Sequence, residues 1–159
     1  MAKEQTSRVK LPPLDQIGIV VKDIDQVMEY YISIFGWGPF QVREVDLKGF
    51  TYRNQPCDCR LKVAYLQSGP VQVELIQVLE GETPHTDFLR KRGEGLQHLC
   101  FRVDDFAATA AELAREGIGP VWHLPGVPVF AYVNSDDIGG VMFELVEKGR
   151  MGEQEKDEA

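Results

Sequence analysis

The hydrophobic and polar positions of the chain follow the same pattern twice. Residues 14–23 form an Ile- and Val-rich run that begins beside a polar side chain and ends at an aspartate, and residues 96–105 repeat this arrangement. Further along, Gly-Trp-Gly-Pro at 36–39 is matched by Gly-Ile-Gly-Pro at 117–120. Repetition of this kind is typical of duplicated supersecondary units that share one core. The sequence therefore predicts a chain built from two similar halves.

The first half reads as a strand, a helix and three further strands. The apolar run 14–21 is typical of a strand, and Asp23 and Gly36 have the positions of a helix N-cap and a helix-ending glycine. Alternating apolar stretches predict strands over 40–45, 61–67 and 71–78. The segment between Asp46 and Arg60 is polar and predicts a long loop, of the kind that often covers a site.

The second half repeats this order after a short connecting helix that starts at Thr83-Pro84 and ends at Gly93. A strand over 96–103 leads to a helix capped by Asp105, and shorter strands follow near Val121, 128–133 and 141–146. We therefore predict an α+β fold of two βαβββ modules that form a curved mixed sheet, with helices outside and a cleft within. The predicted boundaries are 13–80 for the first module, 81–94 for the connecting helix, 95–147 for the second module and 148–159 for a disordered tail.

Four polar side chains interrupt these apolar strands at positions that the repeat makes equivalent. Gln16 corresponds to His98, and Glu74 corresponds to Glu144, each glutamate being flanked by large apolar residues. A surface glutamine or a hydrogen-bonded core histidine would explain the first pair taken alone. A carboxylate on a buried strand, however, is costly unless it is paired, protonated or bound to a cation. The recurrence at related places therefore favours convergence of all four on one site.

The chemistry of this set is that of a divalent metal site. An imidazole nitrogen, an amide oxygen and two carboxylates are borderline-to-hard donors, which suit Zn, Co, Ni or Mn and not copper(I) or an iron–sulfur cluster. Two carboxylates would neutralise the charge of a divalent ion, and its open positions would be left for water or substrate. We predict one divalent ion bound by Gln16, Glu74, His98 and Glu144.

Composition and charge narrow the function classes. With 43% hydrophobic and 26% charged residues the chain resembles an ordinary globular protein. The formal net charge of −8 argues against nucleic-acid binding, which needs a cationic surface. No apolar run approaches the roughly 20 residues that span a bilayer, and residues 1–10 are too polar for a signal peptide. The odd cysteine count, including Cys57 and Cys59 in a C-x-C pair, predicts reduced thiols and a cytoplasmic location.

These residues resemble the vicinal oxygen chelate proteins, whose paired βαβββ modules bind a divalent metal in a cleft, and the resemblance covers roughly 14–146. The set Gln16, Glu74, His98 and Glu144 is similar to that of animal-type glyoxalase I. The surrounding stretches 88–98 and 139–145 look more like methylmalonyl-CoA epimerase. The chain departs from the epimerases at Gln16, where they usually carry His, and from the glyoxalases at Glu94, where they carry an Arg for glutathione.

The resemblance implies a metal-dependent epimerase that removes a proton α to a thioester carbonyl, with an acyl-CoA as a possible small-molecule substrate and a homodimer as the expected assembly. Glu74 and Glu144 would act as the two bases, and Lys62 on a neighbouring strand is the next candidate. His85 and His123 lie outside the repeat and receive no role. The alternatives are a glyoxalase-type lyase that acts on a hemithioacetal and a non-catalytic binding protein. A ring-cleaving dioxygenase is disfavoured because Gln16 replaces a histidine of its iron site.

Overall fold

Ten strands form one mixed sheet in the computed structural model, which describes residues 9–150. The elements of the first half, in chain order, are β1 (Gln16–Val20), α1 (Ile24–Phe35), β2 (Gln41–Leu47), β3 (Thr51–Tyr52), β4 (Gln55–Pro56), β5 (Cys59–Ser68) and β6 (Val71–Glu80). Helix α2 (Pro84–Arg92) connects them to β7 (Gly95–Val103), α3 (Phe106–Arg115), β8 (Pro120–His123), β9 (Phe130–Val133) and β10 (Met142–Glu147).

The sheet is symmetric about its centre. The strand order is β2-β5-β6-β1-β7-β10-β9-β8-β3-β4, so the first strand of each half lies in the middle and the two are antiparallel. Each of these strands has the last strand of its own half as its parallel neighbour, β6 beside β1 and β10 beside β7. The structure therefore confirms the predicted α+β class with paired βαβββ modules.

The loop predicted between Asp46 and Arg60 is partly wrong. Residues Arg53 and Asn54 have positive φ angles and form a tight turn, which joins β3 and β4 into a small hairpin. Strand β3 then pairs with β8 of the second half, at Thr51 opposite His123. This insertion of the first half thus extends the sheet beyond the second half and encloses the cleft. No alternating pattern marks two-residue strands, because their stability comes from the partner strand.

Helices α1 and α3 pack against the outer face of the sheet. Ile24 of α1 is fully buried against Ala64 and Leu75, and Phe106 of α3 packs with Leu145 in a second apolar cluster. The predicted caps are present: the Asp23 side chain accepts from the first turn of α1, which Gly36 ends in a left-handed conformation, and the Asp105 side chain accepts from Ala108. These caps satisfy backbone donors that a helix leaves unpaired at its start.

The structure describes the first three residues of the predicted tail, 148–150. The backbone nitrogen of Lys148 donates to Val103, and its Nζ lies 2.7 Å from Asp104 Oδ1, so this residue is anchored to the second half. The remainder of the predicted tail, 151–159, lies outside the described residues. Among the helices of residues 9–150, none is long and apolar enough to cross a membrane.

Candidate active site

The cleft within the curved sheet brings the four predicted side chains together. Gln16, Glu74 and Glu144 line a cavity of about 210 Å³, and the fully buried His98 lies against its wall. The Nε2 atom of His98 is 3.0 Å from Glu144 Oε2 and 3.6 Å from Glu74 Oε2. One imidazole nitrogen is therefore within reach of a carboxylate from each half of the chain.

Strand register explains why these side chains meet. Gln16 lies opposite Gln72, two residues before Glu74, and His98 lies opposite Met142, two residues before Glu144. The same offset in both halves means that the parallel pairs β1–β6 and β7–β10 present their polar residues in the same way. Because β1 and β7 are antiparallel neighbours, the two sets face each other across the centre of the sheet.

Gly18 provides the space that His98 occupies. This glycine is opposite His98 in the β1–β7 register, and a Cβ atom built on it would overlap the imidazole ring. The backbone of β1 is in an ordinary strand conformation there, so the requirement for glycine is one of space. A side chain at this position would displace the candidate ligand.

We predict that Gly18→Ala destabilises the protein by about 1–3 kcal/mol, the usual cost of forcing extra atoms into a packed interior. Metal affinity should fall as well, because His98 has to move. Gly119→Ala is the matched control, since a Cβ there meets nothing within 4 Å. Chemical denaturation of both variants measures the difference, and equal stability would show that His98 is not held against Gly18.

A β-bulge aims Gln97 and His98 into the same region. In the pairing of β1 with β7, Gly18 is opposite His98 and Ile19 is opposite Leu96, which leaves Gln97 as an extra residue. Bulges bend a strand and redirect side chains, often beside active sites. As a result Gln97 is buried and its Oε1 lies 2.8 Å from His98 Nδ1.

The contact with Gln97 determines which nitrogen of His98 is available. A carbonyl oxygen can only accept, so the proton of the neutral ring is on Nδ1 and the lone pair of Nε2 points toward the glutamates. Metal-binding histidines generally carry such an outer hydrogen bond, which fixes their tautomer. Gln16 is held similarly: its Nε2 donates to Gln72 Oε1 at 2.7 Å, so its amide oxygen is the atom suited to a cation.

Among the four candidate ligands, two buried side-chain atoms have no hydrogen-bond partner in the described part of the chain. They are Nε2 of His98 and Oε2 of Glu144, which lie close together without good hydrogen-bond alignment. Such atoms are costly unless something else binds them. Two donors bound to one ion at about 2.1 Å each lie roughly 3 Å apart, which agrees with their separation. The donor set therefore fits a divalent cation.

A complete metal cluster is not preassembled from acidic, histidine and cysteine side chains. Within residues 9–150, no group of three or more such side chains has the spacing of a metal site. The candidate set differs from such clusters because it includes the amide of Gln16 and because Glu74 is farther from His98 than Glu144 is. Small side-chain movements toward a bound ion would be needed to complete the coordination.

The electrostatics of the site depend on its burial. Burial lowers the pKa of His98, but the nearby Glu144 and Glu74 carboxylates raise it more, so the net shift is upward. Burial raises the pKa of Tyr132 well above its ordinary value, with Glu144 and Glu74 adding to the shift, so this hydroxyl remains protonated. Burial also raises the pKa of Cys100, which keeps this thiol neutral beside the carboxylates.

Sequence reasoning missed two residues of the site and misjudged a third. His85, to which no role was given, is buried in the cleft wall with its Nε2 3.0 Å from the hydroxyl of Tyr132. His85 lies on the connecting helix, outside the repeat, so no sequence signal singled it out. Tyr132 lies opposite Glu144 as Tyr65 lies opposite Glu74, so the repeat itself could have pointed to Tyr132. Lys62, the alternative base, is on the wrong face of β5. Its Nζ pairs with Asp25 in the first turn of α1, whereas Leu61 and its alternate neighbours line the cleft.

Paired βαβββ modules around a cleft with carboxylate, amide and imidazole donors define a vicinal oxygen chelate protein. The model of the Glyoxalase/Bleomycin resistance protein/Dioxygenase superfamily matches residues 15–131, well over half of the chain. The chain belongs to this superfamily.

Curated relatives include epimerases at low identity. The chain is 26% identical over 138 residues to an uncharacterized protein, YqjC, of Bacillus subtilis, covering 84% of this chain and 91% of that protein. It is 25% identical over 142 residues to the mitochondrial methylmalonyl-CoA epimerase of Mus musculus, covering 86% of this chain and 73% of the mouse protein. These relatives indicate an epimerase-like enzyme without defining its substrate.

Solved structures share the fold. A hypothetical protein from Bacillus halodurans has a TM-score of 0.64 and 27% identity, and covers 89% of this chain and 97% of its own. A Streptomyces coelicolor methylmalonyl-CoA epimerase in complex with 2-nitronate-propionyl-CoA has a TM-score of 0.64 and 23% identity, covering 89% of this chain and all of its own. At that identity the second likeness shows the fold alone.

Proposed function

We propose that this protein is a metal-dependent epimerase that removes and returns a proton α to a thioester carbonyl, similar to methylmalonyl-CoA epimerase. The observation that carries this proposal is the placement of two carboxylates, Glu74 and Glu144, on equivalent strands of the two halves with one imidazole between them. Inversion at a carbon atom requires a base on each face of it. A cleft with twofold-related glutamates offers this arrangement.

The metal would be held by Gln16, Glu74, His98 and Glu144, and we expect Zn, Co, Ni or Mn. When bound, a divalent cation supplies the positive charge that polarises a carbonyl and makes the adjacent proton more acidic. Two hydrogen bonds orient the candidate ligands for this cation. Gln97 holds His98 with Nε2 facing the cleft, and Gln72 holds the amide of Gln16.

The two glutamates carry the proton in this proposal. Each is largely buried, with about a tenth of its side chain exposed, 13% for Glu74 and 11% for Glu144. A carboxylate that binds a cation through one oxygen keeps the other oxygen to accept a proton. One glutamate would take the α-proton onto its Oε atom while the other returns a proton to the opposite face. The apolar wall formed by residues such as Val63 and Ile76 excludes water around this exchange.

The proposed substrate is an acyl-CoA thioester, consistent with what the named epimerases act on. We further propose a homodimer that acts in the cytoplasm, a compartment in which Cys57, Cys59 and Cys100 would stay reduced, as the free thiols of the structure are. The alternative function is a glyoxalase-type lyase, because the four candidate ligands resemble those of glyoxalase I. At the position where the glyoxalases carry an Arg for glutathione, Glu94 accepts a hydrogen bond from the backbone of Lys22 at 2.7 Å.

Solvent-deuterium exchange tests the proposal. The metal-loaded protein is incubated in deuterated water with single enantiomers of 2-substituted acyl-CoA thioesters, methylmalonyl-CoA first, and both incorporation and configuration are followed. We expect deuterium at the α-carbon together with inversion. If metal-loaded protein incorporates no deuterium into any thioester tried but converts hemithioacetals, the protein is a lyase of the glyoxalase type.

A further inference from the structure

A chain of buried hydrogen bonds runs from His98 through the wall of the cleft to the connecting helix. The hydroxyl of Tyr132, on β9, lies 3.2 Å from His98 Nδ1 and 3.0 Å from His85 Nε2. The other ring nitrogen of His85 lies 3.3 Å from Thr83 Oγ1, at the start of α2. Thr83, His85, Tyr132 and His98 are each at most 3% exposed. This hydrogen-bond chain therefore links the candidate ligand to the connecting helix through almost fully buried side chains.

One arrangement of the protons satisfies every hydrogen bond in this series, with each group donating to the next, from His98 to Thr83. Gln97 Oε1 requires a proton on His98 Nδ1, which the oxygen of Tyr132 is also placed to accept. The Tyr132 hydroxyl then donates to His85 Nε2, so that the remaining ring proton of His85 is on Nδ1 and faces the oxygen of Thr83. His85 is neutral in this scheme, and burial indeed lowers its pKa to about 3.

Thr83, at the end of this series of hydrogen bonds, is itself held in place at the start of α2. Thr83 caps α2: its Oγ1 accepts from the backbone nitrogen of Thr86, whose own hydroxyl accepts from the backbone nitrogen of Thr83. Ring packing adds to the hydrogen bonds, since the ring centroids of His98 and Tyr132 are 4.9 Å apart and those of His85 and Tyr132 are 5.5 Å apart and nearly perpendicular. His85 is thus held in place by the capped first turn of α2 and by ring contact with Tyr132.

We propose that Tyr132 and His85 are positioning residues for the candidate metal ligand His98. They keep the imidazole at one rotation and its proton on Nδ1, so that Nε2 presents its lone pair to the cation. This inference rests on the proposed metal-dependent function and adds two residues that bind neither metal nor substrate. Outer hydrogen-bond partners of metal-binding histidines typically change metal affinity by about 10–100-fold when they are removed.

Metal titration tests this role without any enzyme assay. Metal-free wild type, Tyr132→Phe, His85→Leu and the double variant are titrated with Co²⁺, and the visible absorption of the bound ion gives the Kd. We expect each single substitution to raise the Kd by about 10–100-fold. Because both break the same chain, the double variant should bind no more weakly than the weaker-binding single variant. Tyr52→Phe is the matched control, since it removes a hydroxyl that donates to Asp87 at 2.8 Å outside this chain.

The outcomes separate the two proposals. A Tyr132→Phe protein that binds Co²⁺ within twofold of wild type overturns the positioning role and leaves the proposed function standing. Effects of the two substitutions that simply add would indicate independent packing defects and also overturn it. A wild type that binds no Co²⁺ overturns both proposals. Thermal unfolding of the metal-free proteins shows which variants are folded. If His85→Leu is not folded, the Kd of Tyr132→Phe alone decides whether the positioning role holds.

Discussion

Replacing His98 with alanine should abolish metal binding. His98 is the only nitrogen donor of the predicted set, and its Nε2 lies near both glutamates in a fully buried position. Loss of a directly bonded ligand should exceed the effect of removing an outer partner, so we expect the Kd for a divalent metal to rise by more than about 100-fold. Isothermal titration calorimetry and elemental analysis measure this, and epimerisation should be lost with the metal.

His123→Ala is the matched control for this experiment. His123 is a half-buried histidine on β8 that lies 3.3 Å from Thr51 Oγ1, away from the four predicted ligands. This variant should bind metal as wild type does. Stoichiometric metal in purified His98→Ala protein would contradict the predicted site, provided that the variant unfolds cooperatively and is therefore folded.

The same histidine makes metal affinity depend on pH. Binding requires Nε2 without a proton, and the Glu144 and Glu74 carboxylates raise the pKa of His98 in the metal-free protein despite its burial. Affinity should therefore weaken as pH falls through a pKa above 6.5, by up to about tenfold per pH unit for the one proton displaced. The protonated ring also stabilises the metal-free fold below pH 6.5, and this stabilisation is lost as pH rises through the folded-state pKa.

Replacing either glutamate with glutamine should stop epimerisation while retaining most metal binding. The amide keeps the size of the side chain and an oxygen for the cation, but it cannot accept a proton. Removal of an acid–base group typically lowers the rate by about 10²–10⁴-fold. We expect losses of this size for Glu74→Gln and for Glu144→Gln. Turnover of each enantiomer of the thioester and deuterium incorporation from solvent measure them.

The thioester enantiomer whose α-proton still exchanges in each glutamine variant identifies the base that serves each face. A variant that lacks one base can still remove the α-proton of the enantiomer served by the other, so exchange without inversion should persist for one enantiomer only. Glu80→Gln is the control, because Glu80 is on the same strand as Glu74 but exposed and paired with Arg60. Near-normal turnover in both cleft variants would refute the two-base proposal. Lys62 could not replace them, since it faces α1.

Much of the fold was predictable because the repeat is carried by local signals. Aspartate caps, helix-ending glycines and alternating apolar positions depend on residues within a few positions of one another. Asp23 and Gly36 therefore bound α1 as predicted, and Asp105 starts α3. The segment that forms β3 and β4 was not predicted as strands, because the pairing of β3 with β8 joins distant residues. Thr51 and His123, which are hydrogen-bonded to each other, lie 72 positions apart.

The sequence by itself determined that the chain has two βαβββ halves and that Gln16 corresponds to His98 and Glu74 to Glu144. Duplication preserves register, and register decides which side chains meet across the central strands. Only the tertiary structure decided which face of β5 lines the cleft, and so placed Lys62 outside it. It also brought His85 from the connecting helix to Tyr132, 47 residues away in sequence. Such contacts follow from packing between distant elements, which neither alternation nor spacing along the chain encodes.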